Sequence, residues 1–383
     1  MDESLFFSLI DHFSEVEDPR LDRTKKHNVI DIISITVMAT ISGMQNWIEI
    51  VDWAETNEEW LKTILELPGG IPSHDTFGRV FSLINPESFK EAFKAWVDSI
   101  KINFPEREII AIDGKFLNGS IIDSNSRSSL TIVSAWACKS GLSLGQLSSR
   151  LKKEEGEKRT MEKLIDQIDV RGNIITIDAG GATTTIIGKI SSKGGDSVVG
   201  LKDNQRRAKR LAANLFAHEK AQELKKIVTT ENRGHGRDEK RTYELLELDS
   251  LKIIGLQGAI KKFNNKWPSI TSFGRVISER KIGKEVTIHE RFFLTSLKNE
   301  NEFAESVRSH WKVENSLHWQ LDVTFREDFC RARIGYAAEN LAIIRRLALN
   351  LLKKDLSEKK SIRRKQLLCN WNKNYLLQVI MGI

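Results

Sequence analysis

The runs REIIAIDGK at residues 107–115 and NIITID at residues 173–178 decide the fold. Each is a short isoleucine-rich stretch that reaches an aspartate, Asp113 in the first and Asp178 in the second. A continuous apolar run bounded by turn signals reads as a buried strand. Between them, SLTIVSAWA (129–137) and LSLGQLSS (142–149) read as two further strands around a turn at Lys139–Gly141, and residues 157–169 as a helix. Beyond Asp178 the pattern predicts a helix over 182–192, a strand at DSVVGL (196–201) and a basic helix from about Asn204 to Lys226.

That order is an antiparallel meander running into a parallel crossover, the order of a ribonuclease-H-like sheet. Five stretches between 227 and 295 then read as strands: KIVTTEN, KRTYELLEL, KIIGLQGAIKKF, SFGRVISERK and EVTIHERFFLTS. Helical spacing returns at Asn299 and is expected to persist through Leu352. Residues 1–104 read as helices, with a break at PGGIPS (68–73) and Ser73 as an N-cap. The expected class is therefore α/β: a ribonuclease-H-like domain over 105–353 with a β-strand insertion at about 227–295. An all-helical N-terminal domain (1–104) precedes it and a basic C-terminal tail (354–383) follows.

Composition narrows the function. Of the 383 residues, 40% are hydrophobic and 29% charged, values of a globular chain rather than a disordered one. Cys138, Cys330 and Cys369 form no CxxC pair and no disulfide framework, which suits a reducing compartment. Asp2, Glu3, Asp11 and Glu15 interrupt the N-terminus, against a secretory leader. The longest uncharged run, Ile32–Ile48, has 17 residues and several polar ones; it reads as a buried helix, short of the ~20 apolar residues of a membrane span. The net charge of +7 is unevenly divided: residues 1–100 carry 8 Lys/Arg against 18 Asp/Glu, and residues 331–383 carry 12 against 3. A basic body with an acidic cap fits a nucleic-acid partner, and so do solvated helix faces.

In a ribonuclease-H-like sheet the strands bearing Asp113 and Asp178 are neighbours, so both carboxylates can share one edge. Two such charges call for a hard divalent cation. A third carboxylate is expected from the helix around 304–323, where Glu314 has His310 four residues before it and His318 four after, all on one face. Such a set suits a two-metal site for phosphoryl transfer. Competing patterns are weaker. GLSLG (141–145) matches the Gly-x-Ser-x-Gly elbow, but a strand follows where a helix is required, so Ser143 reads as a strand residue. His310, Glu314 and His318 lack the His-Glu-x-x-His spacing of a zinc site.

IPSHDTFGRVFSLINPESF (71–89), IAIDGK (110–115), ITIDAGG (175–181), HGRDEKR (235–241) and the long run VRSHWKVENSLHWQLDVTFREDFCRARIGYAAENLAIIRRLALNLL (307–352) resemble the H-repeat-associated family of bacterial insertion-sequence transposases. The resemblance extends from about Phe13 to Met381. It implies a DDE transposase with Asp113, Asp178 and Glu314 as catalytic, metal-holding triad, Mg²⁺ as the metal with Mn²⁺ as an alternative, and double-stranded DNA as partner: the element's terminal inverted repeats and its target. It further implies a homodimer on DNA ends and a bacterial cytoplasmic, nucleoid-associated protein with no membrane partner. Candidate phosphate contacts are Lys115, Lys202, Arg206, Arg207, His235, Arg237 and Arg308, with His310 and His318 positioning phosphate or supporting Glu314; Trp267, Trp311 and Trp319 are candidates for base stacking or core packing. The chain departs from the family pattern after Asp178, where Gly180, Gly181, Ala182 and Thr183 replace Met-Gly and Cys-Gln, and at Phe116, Asn118 and Asp203; Glu157 matches a family glutamate. A decayed, DNA-binding copy and a nuclease without strand transfer are the alternative readings.

Overall fold

A computed structural model describes residues 11–22, 25–100, 105–120, 130–149, 153–234, 236–252 and 255–381. Within it the first helices are α1 (Val29–Ile41), α2 (Trp47–Thr56), α3 (His74–Leu83) and α4 (Pro86–Ile100). Asn46 caps α2 by accepting from the Glu49 amide, and Ser73 caps α3 by accepting from the Thr76 amide. Helix α1 is buried from Asp31 to Ile41, which explains its membrane-like composition without a membrane. No helix among the described residues is long and apolar enough to cross a bilayer.

Strands β1 (Ile109–Leu117), β2 (Leu130–Ala137) and β3 (Leu142–Ser149) form the meander. Helix α5 (Lys153–Gln167) leads to β4 (Ile174–Ile177), and α6 (Thr184–Ser192) leads to β5 (Asp196–Leu201). Helix α7 (Arg206–Ala217) precedes the insertion. Its strands are β6 (Lys226–Gly234), β7 (Arg237–Glu247), β8 (Ser272–Ile282) and β9 (Glu285–Thr295). All nine strands join one sheet in the order β3-β2-β1-β4-β5-β9-β8-β7-β6, with β1, β4 and β5 mutually parallel and every other pairing antiparallel. The insertion therefore extends the core sheet edge to edge instead of forming a separate layer.

Three expectations change. The stretch KIIGLQGAIKKF contains no described strand: Gln257–Lys266 is a helix, α8, with Ile260 and Phe263 buried three residues apart on its inner face. Residues 253 and 254 of that stretch lie outside the described residues. The helical run from Asn299 is interrupted. Helix α9 (Glu300–His310) passes into wide π turns at Glu314–His318 and Gln320–Thr324, and Arg326 then takes a left-handed conformation (φ 47°) that ends the helix. Residues 354–383, read as a tail, carry α11 (Ile362–Trp371) and α12 (Lys373–Met381), which bury Cys369, Leu376, Val379 and Ile380. Asp355 anchors both, to Lys365 Nζ at 3.1 Å and to the Tyr375 hydroxyl at 2.7 Å.

Helix α10 (Ala337–Lys354) lies between the sheet and the N-terminal helices, packing on α1, α3, α4 and β3. Its buried asparagines satisfy backbone groups on both sides. Asn350 exchanges two hydrogen bonds with the backbone of Ser143, and Asn340 donates to the carbonyls of Phe81 and Ile84. Ser143 is thus a fully buried β3 residue.

Candidate active site

The register places the first two acids side by side. β1 and β4 run parallel and end their pairing at Ile112 opposite Ile177, so Asp113 and Asp178 are the next residues on each strand. Asp113 does not close its strand; β1 continues to Leu117 against β2 while β4 turns away. Asp178 caps the short turn Ala179–Gly181, its Oδ1 accepting from the Gly180 amide at 2.7 Å. The loop after β5 clamps that turn: Asn204 donates to the Ala179 carbonyl at 2.5 Å, and Gln205 to the Ala182 carbonyl at 2.8 Å.

Glu314 projects from the π turn after α9 into the same cleft. This cavity of about 200 Å³ is lined by Asp113, Asp178, Glu314, Lys202, His310, Arg291 and Trp311 among others. Burial, then the negative charges of Asp178, Glu157 and Glu314, push the Asp113 carboxyl up to about 7, against a lowering hydrogen bond from the Gly114 amide. Glu157 reaches so near β1 that a Cβ at Gly114 would overlap its carboxylate. Among the described residues no three His, Cys, Asp or Glu side chains are drawn close enough to cage a metal unaided. The donor chemistry nevertheless fits a hard divalent cation: the carboxylate oxygens of Asp113, Asp178 and Glu314 line one cleft.

The predicted cations separate into groups. Lys202 is exposed with its Nζ 3.9 Å from Asp178 Oδ2, and Arg206, Arg207 and Arg308 are exposed on α7 and α9. Lys115 is a correction: it is buried beneath the site, bonded to Asp322 and Glu327 and 3.5 Å from Asp328, so its charge is consumed internally. His310 is also no phosphate clamp. Its Nδ1 is 3.0 Å from Thr176 Oγ1, and burial pushes the imidazole below its ordinary range. His318 lies 3.6 Å from Asp113 Oδ2; burial, then Arg346 and Lys115, push it down to about 4, so it is neutral near pH 7. Arg237 is paired with Glu239 at 3.1 Å on β7, five strands away from β1 in the sheet. His235 lies outside the described residues. Of the tryptophans, Trp267 is core, Trp311 is 46% exposed and lines the cleft, and Trp319 is 52% exposed and lines a separate cavity facing Gly43–Glu49.

Several site residues escaped sequence reasoning. Asn204 and Gln205 position the Asp178 turn, and the run Lys202–Gln205 was the only hint of it. Arg291, half-buried, faces the cleft with its guanidinium carbon 5.4 Å from the Trp311 ring; nothing in a β-strand pattern singles it out. Glu327 is fully buried, 2.9 Å from Arg346 Nη1, and joins β1 to α10 through Lys115.

Comparisons with known proteins bear on the family. Residues 104–351 match the family described as Transposase DDE domain, and residues 10–97 match DDE_Tnp_1-associated. Putative protein YbfL of Escherichia coli K12 is 34% identical over 389 residues, covering 98% of each chain. The H repeat-associated putative transposase YhhI of the same strain is 33% identical, again over 98% of each chain. A piggyBac transposase synaptic complex with hairpin DNA covers 99% of this chain and 81% of its own, at 10% identity and a TM-score of 0.44, a likeness too slight to bear on the site. Matched over nearly its whole length, the chain belongs to the DDE transposases of the H repeat-associated family.

Proposed function

We propose that this chain is an insertion-sequence transposase that cuts DNA strands and joins them to target DNA by metal-dependent phosphoryl transfer. The observation that carries the reading is the convergence of Asp113, Asp178 and Glu314 on one cleft, where burial first and the charges of Asp178, Glu157 and Glu314 second push the Asp113 carboxyl up to about 7. Asp113, Asp178 and Glu314 would hold the metal, Mg²⁺ being expected and Mn²⁺ an alternative. When bound, two such ions activate the attacking water or 3′-hydroxyl and stabilise the leaving 3′-oxygen. Lys202, Arg206, Arg207 and Arg308 would neutralise phosphates around the cleft, supplying affinity and orientation more than sequence readout. Exposed Trp311, in the lining of the cleft, would offer a ring on which an unpaired base near the cut stacks. Neutral His318 would hold Asp113 in place without adding charge. Double-stranded element ends and target DNA are the proposed partners, with a homodimer bridging two ends and the bacterial nucleoid as the setting.

The test is strand cleavage on DNA carrying the element's own flanking ends, with Mg²⁺ and with EDTA. Cutting in Mg²⁺ that disappears in EDTA supports the reading. Tight binding without cutting would replace it with a repurposed DNA-binding protein, and nicks without joined products with a nuclease.

A smaller effect is expected at the clamp. Asn204→Ala leaves the Ala179 carbonyl without its donor and loosens the Asp178 turn. At ~1–3 kcal/mol for such a lost bond, cleavage should fall about tenfold while end binding in EDTA stays unchanged. Equal loss of binding and cleavage would show that Asn204 serves the fold or the DNA contact instead.

A further inference from the structure

A trough runs between the N-terminal helices and the loop that follows the Glu314 helix. One lobe, about 660 Å³, lies between Gly43–Glu49 and Trp319–Arg326. The other, about 800 Å³, lies between α2–α3 and the segment from Arg326 to Leu341. Gln45, Glu49 and Arg326 line both lobes, so the two are continuous. The loop is tied to the strand that bears Asp113: Arg333 Nε donates to the Gly119 carbonyl at 3.0 Å, and Lys115 Nζ is 3.5 Å from Asp328.

The lining has a definite chemistry. Arg79, Arg326, Arg331 and Arg333 are exposed along the second lobe, and among the described residues none of the four forms an ion pair with a carboxylate. The facing acids are locally engaged, Glu49 by the Gln45 amide and Asn46, and Asp75 by His74. Phe329 shares this lining, 76% exposed, with the Arg326 guanidinium carbon 5.9 Å from its ring. Ile334, also in the lining, is 78% exposed, so the apolar surface here is a patch rather than a lone side chain. Unpaired cations interleaved with an exposed aromatic ring are the combination that binds a single nucleic-acid strand, phosphates on the cations and a base on the ring.

We propose that this trough holds an unpaired DNA strand beside the cleft, with phosphates on Arg326, Arg331 and Arg333 and a base stacked on Phe329. The choice of DNA rests on the function proposed above; the strand path rests on the trough alone. The experiment is fluorescence anisotropy of a 20-nucleotide oligothymidine and of a 20-base-pair duplex with the full chain in EDTA, where no cutting is needed. The variants are Arg326→Gln/Arg331→Gln/Arg333→Gln together, Arg331→Gln alone and Phe329→Ala, each checked by thermal unfolding. Losing three contacts at ~0.7 each should lower the slope of log affinity against log salt by about 2 for the single strand. Phe329→Ala should weaken oligothymidine about tenfold and leave the duplex unchanged. In the unaltered protein, an oligonucleotide carrying 5-iododeoxyuridine should photocrosslink to Phe329.

Wild-type affinity for oligothymidine in the triple variant, or no oligothymidine binding by the wild type, overturns the proposal. Equal weakening of duplex and single strand with a harmless Phe329→Ala overturns the single-strand assignment in favour of a duplex track. Trough-dependent binding in a protein that never cuts sustains the proposal and removes only the enzymatic reading.

Discussion

Asp178→Ala is expected to lower Mg²⁺-dependent strand cleavage a thousandfold or more, with end binding in EDTA kept. Asp178 stands one residue past the last β1–β4 pair, exposed to the cleft, and its loss removes a charge from the cation's neighbourhood while the sheet stays paired. A loss of ~4 kcal/mol in transition-state stabilisation is about three orders of magnitude in rate. Glu314→Gln should behave alike, since it removes charge and keeps shape. Cleavage by either variant at even a tenth of the wild-type rate would sink the triad assignment. The same site predicts a pH dependence. Asp113 holds its proton up to about 7 in the metal-free protein, so a cation binding below that pH must displace it. Apparent Mg²⁺ affinity should therefore rise about tenfold per pH unit up to about 7 and then level. Stability follows the opposite sign. A carboxyl raised in the folded state contributes stability below the unfolded value near 3.8 that is lost as pH rises through about 7. In EDTA the melting temperature should fall across that window, and Mg²⁺ should restore it; a metal-independent melting curve at pH 8 would argue against a cation at Asp113.

Glu327→Ala should destabilise the fold more than any single surface change. Glu327 and Arg346 are both fully buried and 2.9 Å apart, with Lys115 Nζ 3.2 Å from the second carboxylate oxygen. Burial alone would raise the Glu327 carboxyl, but Arg346, Lys115 and Arg345 together hold it down at about 2. Removing it leaves buried cations uncompensated, a loss of about 3–5 kcal/mol for a buried pair broken on one side. Urea denaturation should show it as a lower midpoint. Since the folded value lies below the unfolded one near 4.5, this contribution is present above pH 4.5 and lost as pH falls toward 2. The variant's deficit should therefore shrink on acidification. A deficit below ~1 kcal/mol at pH 7 would mean that Lys115 and Arg346 find other partners in Asp322 and Asp328.

Legibility followed the kind of interaction. Strands β1–β5 and helices α5 and α6 were readable because their apolar runs and turn residues are local signals. The pairing of Asp113 with Asp178 followed from topology once those strands were recognised. KIIGLQGAIKKF misled because a short apolar run does not distinguish strand from helix; the burial of Ile260 and Phe263 under one face decided for α8. The end of the helix after Glu314 was hidden because VTFREDFCRAR has no proline or glycine stop. What ends it is the left-handed Arg326 beside Glu327, whose partners Lys115 and Arg346 are 212 and 19 residues away.

The amino-acid order by itself determined the β-meander and crossovers, the acidic helical segment that precedes them, the adjacency of Asp113 and Asp178 and the family, because each is written in local spacing or in a long contiguous motif. Only the tertiary structure decided which charges are free. Lys115 and His318 look like Lys202 in a list of basic residues, yet one is consumed in a buried ion network and the other is kept neutral by burial and neighbouring cations. Desolvation and long-range charge set those outcomes, and both depend on which distant segments the fold packs around a group rather than on its neighbours in the chain.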